Sequence, residues 1–267
     1  MVPCGKCIPC KVQKSKEWAT RILHESSTQE GSVFITLTYD DEHLPKNMSL
    51  SKTELQLFWK RLRREVEPKK IKYFACGEYG EKSFRPHYHA IVFGLGQKDI
   101  DIWKPTSKIQ SSRLLNKCWA KGNNVIGTVT YQSARYVADY IMKSYNGLMQ
   151  HEMYRGVEFP FMVTSKGIGK DFVIENSEYF KQKLGCTIGG KEVGLPRYYK
   201  KALAIDSNVL MELSKQKEKE VNETLLKRAS RSKKNTELQF TIERRKSLDQ
   251  NALNIESRSS LRKKENF

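Results

Sequence analysis

Two strand-like runs, Lys72 to Glu78 and His87 to Phe93, are separated by the eight residues Tyr79-Gly80-Glu81-Lys82-Ser83-Phe84-Arg85-Pro86, and this short link constrains the fold most. A loop of this length favours an antiparallel hairpin, with Pro86 tolerated just ahead of the second strand. Around the hairpin the hydrophobic period changes repeatedly. Ser32 to Tyr39 alternates and is rich in β-branched residues, which predicts a strand that ends in a turn at Asp40-Asp41. Ser51 with Glu54 three residues on is a capping-box pattern. The stripe Leu55, Phe58 and Leu62 carries that helix forward, and Pro68 stops it.

A helix around Ser112 to Ala120, a strand near Val125 to Thr130 and a helix from Ser133 to Lys143 complete the order β-α-β-β-α-β-α. Helices interleaved with strands that include a direct hairpin predict an α+β, ferredoxin-like layering, an antiparallel sheet with helices packed on it. Residues 1–30 read as a Cys-rich N-terminal arm and helix, with Val12, Trp18, Ile22 and Leu23 forming a partial apolar face from Lys11 to Glu25. Residues 31–150 read as the core. Residues 151–205 read as a loop-rich accessory region with basic-aromatic landmarks, among them Pro196-Arg197-Tyr198-Tyr199-Lys200. From 206 to 267 apolar residues thin out, and the expectation is a solvated helix followed by a disordered basic tail.

The formal charge is +18, which favours a polyanionic partner. Nucleic acid comes before membrane, because no segment has the Trp/Leu face of an interfacial helix and no apolar run approaches a membrane span. The N-terminus lacks a hydrophobic signal core, so the protein is expected in a cytoplasm. In that reducing compartment the cluster Cys4, Cys7 and Cys10 points to metal or to no ligand rather than to disulfides, and a structural Zn²⁺ there would need a fourth ligand, with His24 and Cys76 as candidates. Cys118 and Cys186 are scattered and read as buried structural thiols.

On a strand, His87 and His89 project to the same face, and two convergent imidazoles begin a metal site. The third ligand is assigned to Glu78, at the end of the strand that feeds the hairpin, with Glu81 as the competing carboxylate. A carboxylate added to two imidazoles suits Mg²⁺ or Mn²⁺ and leaves open positions for phosphate oxygens. Downstream, Tyr136 and Tyr140 are four apart on a helix and present paired phenols, while Val137 and Ile141 offer a separate apolar face for burial. Metal and phenol together specify a reaction: a tyrosine oxygen attacks phosphorus, leaving a phosphotyrosine and a free hydroxyl. Lys143, near the helix end, would neutralise charge on the pentavalent phosphorus.

Three motifs in order resemble the HUH endonuclease superfamily: Phe34-Ile35-Thr36-Leu37-Thr38-Tyr39, Arg85-Pro86-His87-Tyr88-His89 and Tyr136-Val137-Ala138-Asp139-Tyr140-Ile141-Met142-Lys143. Pro3-Cys4-Gly5-Lys6-Cys7 with Cys10, Trp18-Ala19 with Arg21, Cys76-Gly77-Glu78-Tyr79-Gly80 and Pro196-Arg197-Tyr198-Tyr199-Lys200 are similar to the replication initiators of Microviridae, the gokushovirus branch in particular. The resemblance implies site-specific nicking of the plus strand at the origin, a 5′-phosphotyrosine link, a 3′-hydroxyl that primes rolling-circle synthesis, and final strand joining. It implies single-stranded and supercoiled phage DNA as partners, along with a host polymerase, in the cytoplasm of a bacterial host. A two-tyrosine transposase or relaxase uses the same parts on other DNA, and a non-enzymatic ferredoxin-like nucleic-acid binder would use them only to stack and neutralise.

Gly185-Cys186-Thr187-Ile188-Gly189-Gly190-Lys191 starts like a phosphate-binding loop, but Glu192 stands where Ser or Thr must hold Mg²⁺ and Pro196 soon follows where a helix should run. With that loop rejected, unwinding is expected to depend on a host helicase.

Overall fold

A computed structural model describes residues 4–103, 110–143, 148–230 and 236–264. The chain divides into two compact units, Gln13–Ala202 and residues 1–12 with 203–267.

The larger unit is built on a five-stranded, wholly antiparallel sheet. Strands β1 (Ser32–Tyr39), β2 (Lys72–Tyr79) and β3 (Pro86–Phe93) lie in the order β1-β3-β2. Gly122–Thr128 flanks β1, and Phe161–Thr164 flanks β2. The hairpin forms with Tyr79 opposite Pro86 and Glu78 opposite His87.

Both faces of the sheet are covered, which is why β2 and β3 are buried almost end to end while β1 alternates. Helices α2 (Lys52–Glu65) and α3 (Arg113–Trp119) cover one face, placing Phe58, Trp59, Leu62 and Trp119 against Val33, Ile35 and Leu37. On the other face, α1 (Ile8–Thr28) brings Ala19 and Ile22, and α4 (Tyr131–Lys143) brings Ala134 and Val137, against Phe74, Cys76, Ile91 and Phe93. Fully burying one such aliphatic or aromatic side chain contributes about 1.5–3 kcal/mol, so this double layer can hold polar groups between its strands rigidly.

The α2 cap is half of the expected box. The Ser51 hydroxyl accepts the Glu54 N–H at 3.2 Å, but the Ser51 N–H donates to the Tyr88 hydroxyl at 2.8 Å. Glu54 turns to Lys121 at 3.2 Å instead. Tyr88 is thereby fixed on the face opposite its neighbouring histidines, fully buried and also bonded to the Tyr39 hydroxyl.

Two sequence expectations are corrected. The strand expected near Val125 begins at Gly122, because the Asn124 amide satisfies both the Ser112 N–H and C=O at 2.9 Å and lets a poor strand former be buried. The region read as loop-rich contributes Phe161–Thr164 to the sheet, with Phe161 opposite Gly77. A Cβ at Gly77 would stand 3.0 Å from the Phe161 ring and 3.1 Å from Leu50, so glycine admits that strand. The C-terminal region, read as a solvated helix followed by a disordered basic tail, contains the helices Ser207–Ala229 and Thr236–Lys264, with an ion pair between Glu218 and Arg244.

The rejected phosphate loop is a hairpin, Gly185–Ile188 with Lys191–Gly194, turned by Gly189 and Gly190 at φ 54° and 74°. Among the described residues, no helix is long and apolar enough to cross a membrane.

Candidate active site

Sheet register assembles the site. Glu78 faces His87 across the β2–β3 ladder, Cys76 faces His89, and on β1 Thr36 and Thr38 face His89 and His87. Directly opposed residues share a face, so carboxylate, imidazoles and hydroxyls collect on the α4 side. Glu78 Oε1 lies 2.8 Å from His87 Nε2 and 3.1 Å from His89 Nε2. The two imidazole rings are nearly perpendicular, at 86°, and aim their Nε2 atoms at that one oxygen. Glu78 and His89 are buried, and His87 is half-buried.

The outer ring nitrogens are also engaged. His87 Nδ1 lies 3.1 Å from the Arg85 carbonyl oxygen, which can only accept, so Nδ1 donates to it and the ring is held with Nε2 turned inward. His89 Nδ1 lies 2.8 Å from the Thr36 hydroxyl. Burial works to raise the Glu78 carboxyl, but the hydrogen bonds from His87 and His89 outweigh it and hold the group below its usual value. One donor atom from each of Glu78, His87 and His89 lies within 4.8 Å of the others, and an ionised carboxylate with two imidazoles suits a divalent cation. Glu81 is exposed in the hairpin loop and is not part of this group.

Helix α4 lays both tyrosines against His89, though not equivalently. The half-buried Tyr136 hydroxyl stands 3.3 Å from His89 Nε2. Tyr140 is buried with its ring stacked on His89, at 5.6 Å and 9°, and meets Tyr136 edge-on at 5.3 Å. Burial pushes the Tyr136 hydroxyl up to about 12, and it raises Tyr140 as well, with the Glu78 charge adding to both. Val137 is fully buried in the core, while the side chains of Ile141 and Lys143 lie outside the described residues.

Sequence reasoning missed Thr36 and Phe34 as supports of the site. Phe34 stacks on His89 at 5.7 Å and meets Tyr136 edge-on at 6.2 Å. Both belong to the first-strand motif, but their purpose depends on which strand β1 pairs with.

The cysteines separate into two kinds. Cys4, Cys7 and Cys10 bring their sulfur atoms within 4.8 Å of one another. The two proposed fourth ligands have other surroundings. His24 is bonded through Nδ1 to the Tyr199 hydroxyl at 3.0 Å, and Cys76 is buried in the core beneath α4. Cys118 and Cys186 are buried, as expected of structural thiols.

The family of the replication-associated protein ORF2 matches residues 32–145, the span that carries β1, the hairpin and both tyrosines. Replication-associated protein VP4 of Bdellovibrio phage phiMH2K is 35% identical over 211 residues, covering 74% of this chain and 65% of that protein. Replication-associated protein ORF2 of Spiroplasma virus 4 is 33% identical over 245 residues, covering 85% of this chain and 76% of that protein. Replication-associated protein ORF4 of Chlamydia phage 1 is 32% identical over 213 residues, covering 76% of this chain and 53% of that protein. The chain thus spans between about half and three quarters of the length of these relatives. No solved structure matches. With relatives this similar over most of its length, the chain belongs to the family of phage replication-associated proteins.

Proposed function

We propose that this protein is a metal-dependent, single-stranded DNA endonuclease and strand transferase of the HUH type that initiates rolling-circle replication of a small phage genome. The observation that carries this reading is the meeting of Glu78, His87 and His89 with the Tyr136 hydroxyl, 3.3 Å from His89 Nε2. The antiparallel sheet with helices on both faces suits the ferredoxin-like HUH fold, with residues 31–150 as the nuclease core.

Mg²⁺ or Mn²⁺ held by Glu78, His87 and His89 would supply positive charge against the phosphodiester oxygens. Tyr136 is the more exposed phenol and makes the first cut. Its oxygen bonds to phosphorus as the bond from phosphorus to the 3′ oxygen breaks. The phenolic proton is released, the departing 3′ oxygen gains one, and the ester left on tyrosine retains the energy of the cut bond. Joining therefore requires no nucleotide cofactor. Tyr140, one helical turn away, makes the second cut after a lap of synthesis, and the freed 3′-hydroxyl then attacks the first phosphotyrosine. Lys143, whose side chain lies outside the described residues, would neutralise charge on phosphorus.

The DNA partner is the single-stranded and supercoiled phage genome in the cytoplasm of the bacterial host, where a host helicase unwinds the duplex and a host polymerase extends the primer. The +18 charge supports the strand sequence-independently, by displacing counterions. The test is incubation of the full chain with oligonucleotides tiled across a phage plus strand and with Mn²⁺. A denaturation-resistant adduct on one oligonucleotide, absent with chelator and mapped to Tyr136 by mass spectrometry, is the expected result. Binding without any adduct across the whole tiling would overturn the reading in favour of a non-enzymatic binder.

A further inference from the structure

We propose that Cys4, Cys7 and Cys10 bind a single Zn²⁺ through three thiolates, forming a structural site in the N-terminal arm. Convergence of the sulfurs has a backbone cause at each step. Gly5 sits at φ 74°, where an added Cβ would meet nothing within 4 Å, so conformation rather than space makes glycine suitable there. That left-handed turn brings the Cys7 N–H to 3.3 Å from Cys4 Sγ. The Cys7 carbonyl then accepts the Lys11 N–H at 3.0 Å as α1 begins, placing Cys7 and Cys10 three apart across the first turn, on one side of it. As a result Cys4 Sγ and Cys10 Sγ are 4.0 Å apart, and all three sulfurs lie within 4.8 Å of one another.

That spacing identifies the ligand. A tetrahedral zinc with bonds of about 2.3 Å to sulfur separates its thiolates by roughly 3.8 Å, close to what the arm presents. A cubane [4Fe–4S] cluster binds each thiolate to a different iron and so needs them farther apart. Three thiolates this close repel one another unless a cation lies between them, whereas an N–H directed at Cys4 Sγ favours the thiolate as a ligand's outer hydrogen bond does. Cys4 and Cys7 are exposed and Cys10 is half-exposed, so little apolar burial fixes this turn and the metal supplies the cross-link instead. Among the described residues, the group that could share the ion consists of these three cysteines, which leaves the fourth position to a water molecule.

The full chain, purified under reducing conditions, should contain one equivalent of zinc by elemental analysis. Cobalt replacing zinc should show the near-ultraviolet thiolate-to-cobalt charge-transfer band, which the imidazole and carboxylate site cannot produce. Cys4→Ser, Cys7→Ser and Cys10→Ser should each weaken the band and lose the equivalent of zinc, whereas His87→Ala should leave the band intact. Because a serine variant could unfold the arm, zinc release from the parent chain is followed as a mercurial titrates its thiols, with one zinc expected per three protected thiols. Iron with inorganic sulfide, copper in place of zinc, a Cys4–Cys10 disulfide in the reduced preparation, or unchanged zinc in a variant lacking all three cysteines would each overturn the proposal. None of these outcomes bears on nicking, so the site stands or falls separately from the nuclease reading.

Discussion

His87 and His89 face a carboxylate, whereas His24, about as enclosed as His89, faces aromatic rings. His24 stacks on Phe172 at 4.2 Å and on Tyr199 at 5.7 Å, and its polar partner is the Tyr199 hydroxyl. Burial depresses it to about 4, so it stays neutral and packs as an aromatic ring with one hydrogen bond. At the sheet, by contrast, two rings share the Glu78 carboxylate and have outer nitrogens bonded to Arg85 and Thr36. Burial alone therefore does not mark a functional histidine. What marks it is an ionic partner held on rigid strands with the outer nitrogen already committed, an arrangement a cation can enter without rebuilding the surroundings.

The largest expected effects test that contrast directly. Glu78→Gln, His87→Ala and His89→Ala should each reduce adduct formation below detection while DNA binding in low salt stays within about threefold, because phosphate contacts supply most of the affinity. His24→Phe should retain nicking. If His24→Phe abolished the adduct and His87→Ala did not, the assignment of the two environments would be reversed.

Next in size is the tyrosine pair, whose inequivalence the sheet imposes. Tyr136→Phe should lower first-cut adduct formation at least tenfold, because its hydroxyl is the one beside His89 Nε2, while Tyr140→Phe should preserve the first cut and block ring closure. The double variant should form no adduct. Equal first-cut rates for the two single variants would show that burial of Tyr140 does not order the events.

Much of this arrangement was legible in the chain. The eight-residue link and the alternation at His87 and His89 place the imidazoles on one face with Glu78 at the strand end, because strand geometry leaves few alternatives. The four-residue spacing of Tyr136 and Tyr140 likewise predicts a shared helix face. Nonlocal features were not legible. Thr36 acquires its place only when β1 pairs with β3, and the exposure difference between the tyrosines arises from how α4 lies on the sheet. Phe161–Thr164 is a short strand whose partner lies far back in the chain, so its four residues carry little local signal. At the C-terminus one solvated helix was legible and the second was not, for a different reason. Scarcity of apolar residues argues against a core, yet Ala, Leu, Glu, Lys and Arg still favour helix by intrinsic propensity.

A smaller effect should come from Thr36, which reaches the reaction only through His89. Removing an outer-shell partner typically costs 10–100-fold in metal affinity or activity. Thr36→Val keeps the shape and removes the hydroxyl 2.8 Å from His89 Nδ1, so the half-saturating Mn²⁺ concentration should rise about tenfold or more with little change in the rate at saturating metal. Thr36→Ser should restore the parent value. A variant that loses rate at every Mn²⁺ concentration, unrescued by serine, would point to packing against the sheet rather than to ligand orientation.

The smallest effect concerns stability and isolates His24. Its folded-state value of about 4 lies below the ordinary 6.5, so the unfolded chain takes up a proton that the folded chain refuses. Stability is therefore complete above about pH 6.5 and falls as pH drops toward 4, by about 2 kcal/mol at pH 5 and about 3 kcal/mol at most. Glu78 has the same sign, because its carboxyl is held below the usual value, but its contribution is lost only below about pH 4.5 and leaves the interval from 7.5 to 5 to the histidine. His24→Phe keeps a ring between Phe172 and Tyr199 and removes the titration, at a pH-independent cost for the unpaired Tyr199 hydroxyl. Denaturant unfolding from pH 7.5 to 5, followed by tryptophan fluorescence, should show the parent losing stability more steeply than His24→Phe. Parallel curves would mean that His24 accepts its proton in the folded state and that the contrast between aromatic and carboxylate surroundings does not control these histidines.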